Sequence, residues 1–209
     1  MEILFSDRDI VLCVKPVGLD SEIQMPAALK ETLGGEIYPV HRLDKNVGGV
    51  MVFARTQAAA ASLSKAIQEG KLIKEYVALV HGNPPERGDW EDLLWKDSRK
   101  NKVFVVKRMR GGVKKARLEF TRLTSGEESL VRVRLHTGRS HQIRVQFASR
   151  GFPLVGDRKY GGAGDGETLA LWSWRLGFTH PETGRSMVFT HQPPAAWPWT
   201  LFPLPETGR

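Results

Sequence analysis

A short segment, His41-Arg42-Leu43-Asp44, places a carboxylate beside an arginine and a histidine. Because an opposite charge lowers the pKa of a carboxyl group, Asp44 is expected to be ionised at neutral pH. A carboxylate in that state can act as a nucleophile. The tetrapeptide alone is weak evidence for catalysis, since an aspartate in such a turn is more often a structural cap or an ion-pair partner.

A second segment, residues 137–144 (TGRSHQIR), joins the end of a predicted strand to the start of a predicted helix. Free amides at a helix N-terminus, together with Arg139, His141 and Arg144, would suit a phosphate or a carboxylate. An amphipathic helix that buries its apolar side chains and leaves the cations in solvent explains the same residues equally well. The segment alone does not decide between these two interpretations.

A third segment, Lys74-Glu75-Tyr76, opens a predicted strand. A tyrosine at such a position is usually a half-buried strand residue, and Tyr76 becomes a catalytic candidate only if it faces a pocket.

Metal and cofactor chemistry are not indicated by the sequence. None of the six histidines forms an i,i+4 pair with a third ligand, and there is no Gly-rich phosphate loop or dinucleotide fingerprint. The single cysteine, Cys13, excludes an intramolecular disulfide and a cysteine-cluster zinc site. We therefore predict no metal and no cofactor, and chemistry carried out by side chains alone.

The elements that would position these segments are mostly short strands. They are predicted, from periodicity and turn residues, at residues 3–5, 10–14, 50–54, 76–80, 113–123 and 131–136. Residues 19–40 show no clear period and are predicted to form a loop with one helical turn near 27–33. This strand-rich chain without regular strand–helix alternation predicts an α+β fold around a mostly antiparallel or mixed sheet.

Two helices are predicted from their end signals. One lies between Thr56, a plausible N-cap, and Gly70. The other is short, with Ser140 as its N-cap and Gly151 as its stop. The second helix would place residues 141–144 in its first turn.

The chain of 209 residues is predicted to form one domain over residues 1–209. Its Pro- and Trp-rich tail, residues 193–209, is expected to be extended and packed on the body, because disordered tails are usually poor in aromatic residues. No apolar run reaches 18 residues and no export leader is present. These features predict a cytoplasmic protein without a membrane span, and we take a monomer as the default.

The net charge of +8 is concentrated in one segment. Residues 99–122, called the basic stretch below, hold ten Lys and Arg against one acid, Glu119, which is a local charge of +9 and leaves −1 for the rest of the chain. Such a stretch is either a footprint for a polyanion or a solvated strand face with a basic loop. Composition alone gives no preference between the two.

In chain order, these segments resemble motifs of the RluA family of RNA pseudouridine synthases. The similar segments are Lys15-Pro16-Val17-Gly18, His41-Arg42-Leu43-Asp44, Lys74-Glu75-Tyr76-Val77-Ala78, residues 137–145 (TGRSHQIRV), residues 151–157 with Tyr160-Gly161, and residues 176–184 (LGFTHPETG). Six matches in the same order, spread over residues 10–192, are not expected by chance.

The resemblance implies a curved, mostly antiparallel sheet with flanking helices and a central basic cleft. It also implies a reaction: the bond from uracil N1 to the ribose breaks, the base turns, and it rejoins through C5 without a cofactor or metal. By position, Asp44 matches the catalytic carboxylate, Arg144 the arginine that pairs with it, and Tyr76 the tyrosine that stacks on the extruded base.

RNA would be the partner, either ribosomal or transfer RNA, with the target base flipped out of the stack. Arg42 matches the residue that fills the gap left in the RNA. The predicted RNA-binding residues are Arg42, His41, Arg139, His141, Lys107, Arg108, Lys114 and Lys115. The motifs also favour the footprint interpretation of the basic stretch, as an insertion beside the cleft that grips phosphates.

The chain departs from the family pattern at four places. Val47 and Gly48 follow Asp44 where hydroxyl residues are usual, Gln146 replaces a common His, and Trp172-Ser173 replaces a common His-Ala. We expect Gly48 to loosen the turn after Asp44, and the departures to affect substrate choice more than catalysis. An RNA-binding protein that has lost the activity is the alternative.

Overall fold

A computed structural model describes residues 1–161 and 168–204. It divides into two compact units. The first unit contains Met1–Lys74 and Trp172–Pro193, and the second contains Glu75–Leu171 and residues 194–204. Whether the two units act as the single catalytic domain of residues 1–209 stays a prediction.

The first unit is built on a mixed sheet. Its strands are β1 (Glu2–Ser6), β2 (Ile10–Lys15), β3 (Tyr38–Pro39), β4 (Gly48–Ala54), β10 (Leu171–Thr179) and β11 (Ser186–Thr190). The order is β1-β2-β4-β10, with β3 on β4 and β11 on β10. All of these pairs are antiparallel except β4 with β10, which run parallel through Trp172 opposite Gly48 and Ser173 opposite Gly49.

Two helices belong to the first unit, α1 (Gln24–Leu33) and α2 (Gln57–Gln68). The predicted N-cap of α2 is confirmed, because the Thr56 hydroxyl accepts a hydrogen bond from the Ala59 amide at 3.2 Å. Ala59 and Leu63 of α2 pack against sheet residues such as Leu12 and Val52 in a buried cluster. This core fixes β4, the strand that begins just after Asp44.

The prediction of a loop with one helical turn over residues 19–40 is wrong, because α1 has ten residues. Only Met25 and Leu29 are buried along it, so its apolar period is too short to detect in the sequence. The start of α1 is instead organised by Asp20, whose carboxylate accepts hydrogen bonds from the amides of Glu22 and Ile23.

The second unit is an antiparallel sheet in the order β5-β9-β8-β6-β7. The strands are β5 (Ile73–His81, which enters this unit at Glu75), β6 (Arg87–Asp97), β7 (Lys102–Val106), β8 (Val113–Arg122) and β9 (Glu128–Leu135). Strands β6 and β7 lie between residues 85 and 112, where the residue pattern predicts no strand. Together with the first unit, this arrangement confirms the α+β prediction; the central cleft stays a prediction.

One helix, α3 (Gln142–Ala148), packs on this sheet. Its Val145 joins Leu94, Val103 and Ala116 in a buried cluster. The prediction of Ser140 as N-cap is wrong: the N-cap is His141, in a left-handed conformation. No side chain caps the α3 amides; the Gln142 side chain instead holds the preceding turn, since its Oε1 accepts from the Arg139 amide at 3.0 Å.

The tail enters the second unit at residue 194, and its Trp199 is 4% exposed. Residues 205–209, which the packed-tail prediction includes, lie outside the described residues. Across residues 1–161 and 168–204, no helix is long and apolar enough to cross a membrane.

Candidate active site

The first unit carries Asp44 in a loop between β3 and β4. Leu43 and Val47, on either side of it, are 5% and 2% exposed and anchor the loop in the core. The Val47 amide donates to the Asp44 carbonyl at 2.9 Å, which closes a turn. The buried Ser21 hydroxyl donates to the Leu43 carbonyl and accepts from the Leu43 amide, so the residue before Asp44 is fixed through both backbone groups.

Lys15, at the end of β2, supports the other side of this loop. Its side chain is fully buried, and Nζ donates to the carbonyls of Pro16, Leu19 and Lys45 at 2.9, 2.8 and 3.2 Å. Burial lowers the pKa of Lys15 to about 8, while the carboxylates of Asp20 and Asp44 favour the charged form. The ammonium therefore organises the backbone next to Asp44 and stabilises its negative charge.

The strand that follows the loop is pinned by close packing, and the expectation that Gly48 loosens the turn is wrong. Gly48 is buried as the first residue of β4, and a Cβ there would overlap the Trp172 ring. Gly49 has φ of +119°, and a Cβ there would overlap the Ser173 backbone. Two of the departures from the family pattern, Gly48 and Trp172-Ser173, thus pack against each other, because the absence of a side chain at 48 leaves room for the Trp172 ring.

His41 and Arg42 have different environments. His41 Nε2 accepts a hydrogen bond from the Val52 amide of β4 at 3.1 Å, and burial together with the Lys74 charge lowers the pKa of this ring to about 3. His41 is therefore neutral at physiological pH, and its predicted RNA contact would have to use a neutral ring. Arg42 is exposed and pairs with the equally exposed Glu22 at 3.1 Å.

The second unit carries Tyr76 and Arg144. Tyr76 is 6% exposed on β5, opposite Val133 of β9. Arg144, on α3, forms two charge-assisted hydrogen bonds to Asp157, from Nε at 2.7 Å and from Nη2 at 2.8 Å. Both side chains are almost completely buried, so the guanidinium has a fixed orientation.

Tyr160 connects the surroundings of Arg144 to strand β7. Its ring lies 5.2 Å from the Arg144 guanidinium, and its hydroxyl accepts from the Val103 amide at 2.8 Å. The same hydroxyl lies 2.8 Å from His141 Nδ1. The predicted RNA-binding His141 is therefore hydrogen-bonded within the protein, as is Arg139, whose Nε donates to the Lys115 carbonyl at 2.9 Å.

The remaining predicted RNA-binding cations, Lys107, Arg108, Lys114 and Lys115, are all exposed. The first two lie in the turn after β7 and the other two begin β8, where consecutive side chains point to opposite faces. Not all of the basic stretch is available to a ligand, because Arg117 pairs with Asp89.

Lys15, Asp157 and Tyr160 lie within the family-like motifs, but the motifs alone did not predict the supporting roles that these residues have here. Only Lys15 offered a signal, a lysine that ends an otherwise apolar strand. Gln146, which also departs from the family pattern, is fully buried, and its side-chain amide donates to the Asp92 carboxylate on β6 at 2.7 Å. Among the residues that the structure describes, no group of three or more His, Cys, Asp or Glu side chains could hold a metal ion.

Comparison with known proteins gives a consistent result. Residues 9–149 match the family described as RNA pseudouridylate synthase. An uncharacterised RNA pseudouridine synthase of Aquifex aeolicus is 36% identical over 93% of this chain and 70% of its own length. The dual-specificity RNA pseudouridine synthase RluA of Escherichia coli is 34% identical over 90% of both chains.

Another uncharacterised RNA pseudouridine synthase, of Chloroflexus aurantiacus, is 40% identical over 78% of this chain, and the match spans about half of that relative, 52%. Among solved structures, human RNA pseudouridylate synthase domain containing 1 is similar with a TM-score of 0.79 over 93% of this chain and 84% of its own, at 23% identity. At that identity the likeness concerns the fold.

Proposed function

The chain belongs to the RNA pseudouridylate synthase family and is an isomerase that converts uridine in RNA to pseudouridine, and we propose that Asp44 is its catalytic nucleophile. The observation that carries this assignment is how the first unit holds the Asp44 loop. Buried Ser21 fixes the residue before Asp44, and buried Lys15 bonds the carbonyl of the residue after it. A backbone fixed on both sides of Asp44 needs little reorganisation before this carboxylate reacts.

The proposed mechanism uses side chains alone. The target uridine leaves the RNA stack, and Asp44 attacks the nucleoside as the bond from N1 to the ribose breaks. The base turns and its C5 bonds to the ribose, and the bond between the Asp44 carboxylate and the nucleoside breaks, which releases the carboxylate. C5 then loses its proton and N1 takes one up, so the atoms balance. Tyr76 is the proposed stacking and proton-transfer residue. Arg144, oriented by Asp157, is the proposed partner that favours the ionised carboxylate, as the resemblance implies.

Arg42 is proposed to fill the gap that the flipped base leaves in the RNA. Its pair with Glu22 supports this role, because both side chains are about half exposed. An exposed ion pair contributes at most about 1 kcal/mol, so RNA can replace Glu22 at little cost.

Asp44→Asn tests the nucleophile, with tritium release from RNA that contains 5-tritiated uridine as the assay. We expect no measurable turnover and an unchanged affinity for RNA. Asp20→Asn is the matched control: its carboxylate also favours the charged form of Lys15, and an asparagine oxygen can still accept at the start of α1. Wild-type turnover by Asp44→Asn would contradict the assignment.

The basic stretch is proposed to grip RNA phosphates through Lys107, Arg108, Lys114 and Lys115. Each is exposed, and phosphate contacts release counterions. Changing all four to Gln should weaken binding and flatten its dependence on salt by about one unit of slope per lost contact. An unchanged slope would return these residues to the interpretation of a solvated face.

Structured RNA, either ribosomal or transfer RNA, is the proposed substrate, and a cytoplasmic monomer is the proposed state of the enzyme. One relative, 30% identical over 93% of this chain, is a ribosomal large subunit pseudouridine synthase D. Mapping pseudouridine in total RNA with and without the gene identifies the target. Light scattering of the purified protein tests whether it is a monomer, and cell fractionation tests whether it is cytoplasmic. Neither the comparisons nor the residues that the structure describes favour the alternative of an inactive RNA-binding protein.

A further inference from the structure

The strands at the edge of the second unit expose aromatic rings among cations. Trp95 of β6 and Phe104 of β7 are directly opposite in the antiparallel register, and their ring centroids lie 6.2 Å apart. Phe104 is 36% exposed, which is unusual for a phenylalanine in a strand. We call Trp95, Phe104, Lys102 and Arg110 the aromatic strip.

Cations lie over both rings of the strip. The Arg110 guanidinium is 5.2 Å from the Trp95 ring, and Lys102 Nζ is 5.9 Å from the Phe104 ring. A turn places Arg110 there, because its carbonyl accepts from the Val113 amide at 3.0 Å. The nearby acid Asp97 is already engaged, since its carboxylate accepts from the amides of Arg99 and Lys100.

Strand alternation shows that the strip is not part of the core. Leu94 and Val103, the neighbours of Trp95 and Phe104, point to the opposite face and pack with Val145 of α3. The rings of the strip therefore cover no apolar residue of α3.

We propose that the aromatic strip is a further RNA-contact site, which stacks an unpaired base of the substrate on Phe104 and on the Arg110–Trp95 pair. Aromatic rings and guanidinium planes are the groups on which proteins stack unpaired bases, and neighbouring cations bind the flanking phosphates. The local charge of +9 over residues 99–122 is complementary to RNA. The inference rests on the proposed RNA substrate but not on the role of Asp44.

The test measures affinity for a fluorescein-labelled oligouridylate of about 12 nucleotides in the Asp44→Asn background, where no turnover interferes. Phe104→Leu keeps an apolar side chain but removes the ring, and we expect roughly fivefold to tenfold weaker binding. Val105→Ala is the matched control, because Val105 is equally exposed, at 36%, on the other face of the same strand. It should bind within about twofold of the parent.

Salt dependence separates stacking from charge. Phe104→Leu should leave the slope of affinity against salt unchanged, whereas Arg110→Gln should reduce it by about one. In the otherwise wild-type enzyme, Phe104→Leu should raise KM and leave kcat for tritium release unchanged, and Phe104→Trp should restore KM.

Equal affinities of Phe104→Leu and Val105→Ala would overturn the stacking site. A Phe104→Leu effect on self-association alone, seen by light scattering, would also overturn it and make the strip a contact between copies. Neither result depends on whether Asp44→Asn is inactive, so failure here is distinct from failure of the nucleophile assignment.

Discussion

The Asp44 loop and the basic stretch use charge in opposite ways. Next to Asp44, Lys15 is fully buried and all three of its hydrogen bonds go to backbone carbonyls. In the basic stretch, Lys107, Arg108 and their neighbours are exposed. A buried charge has one geometry and orients the chain around it, whereas exposed charges act additively and can replace one another. We therefore expect catalysis to depend on the first kind and RNA affinity on the second.

The second unit contains a matched pair of examples. Arg144 and Arg117 each bind an aspartate through two hydrogen bonds of similar length, 2.7 and 2.8 Å to Asp157 and 2.9 and 2.8 Å to Asp89. The first pair is buried, and the second is 40% and 51% exposed. The two pairs therefore differ in burial, and Arg117 also donates a hydrogen bond to a second carboxylate, Glu119, at 3.2 Å.

The largest effect is expected from Asp157→Asn. It replaces the charged partner of the buried Arg144 guanidinium with a neutral amide, so we expect about 3–4 kcal/mol of lost stability and a lower kcat. Asp89→Asn should cost at most about 1 kcal/mol because water screens the exposed pair. Urea unfolding measures the stability of both variants, and tritium-release kinetics measure their kcat. Similar losses of stability in the two variants would show that burial does not determine how much each ion pair contributes.

Lys15→Met extends the contrast to the first unit. Without the ammonium, the Lys45 carbonyl loses a donor and Asp44 a favourable charge, so kcat should fall by about 10- to 100-fold. Stability should change less, because burying the ammonium is itself unfavourable. Lys45→Met is the control: Lys45 directly follows Asp44 but its side chain is exposed, so this variant should retain kcat. A large stability loss with normal kcat would assign Lys15 to folding instead.

Gly48→Ala tests whether the loop depends on close packing as well as on charge. A methyl group at 48 overlaps the Trp172 ring, and such overpacking costs about 2 kcal/mol. Trp172→Phe in the same chain should recover part of that loss. Gly111→Ala, with nothing near its Cβ, should leave the unfolding midpoint unchanged. Additive effects of the Gly48 and Trp172 changes would show that the two residues are independent.

The smallest effect is the pH response of His41. Its pKa of about 3 in the folded state lies below the ordinary value of 6.5, so the unfolded chain binds the proton more tightly. Stability is present above about pH 6.5 and falls as the pH drops toward the folded pKa, by about 1 kcal/mol between pH 7 and about 5.5. His41→Gln, which keeps an acceptor for the Val52 amide, should flatten this dependence of urea unfolding on pH. An equally steep dependence in the variant would exclude His41 as its source.

The sequence predicted those parts of the fold whose signals are local. The hairpin of β1 and β2 follows from two apolar runs around a turn, and Thr56 caps α2 as its residue type indicates. Strand β6 was not predicted because its buried Leu94 and its half-buried Trp90 lie among alternating acids that resemble a loop. The family and its fold followed from the order of the motifs.

The supporting residues of the candidate site were less predictable. A lysine after an apolar strand is normally exposed, and only the carbonyls of Pro16, Leu19 and Lys45 explain why Lys15 is buried. The turn before α3 depends on the Gln142 side chain, which reaches back to the Arg139 amide, and Ser140 does not cap the helix as its residue type indicated. The bond from Lys15 to the Lys45 carbonyl, 30 residues away, has no signature at a fixed spacing in the sequence.

The contact of Gly48 with Trp172 has a consequence for how this chain can evolve. Positions 48 and 172 lie far apart in sequence, yet the ring at one fills the space that any side chain at the other would need. A hydroxyl residue could therefore occupy position 48 only if the side chain at 172 were smaller. A change at 48 that came first would pass through an intermediate with a displaced Asp44 loop, so the history of one position constrains the other.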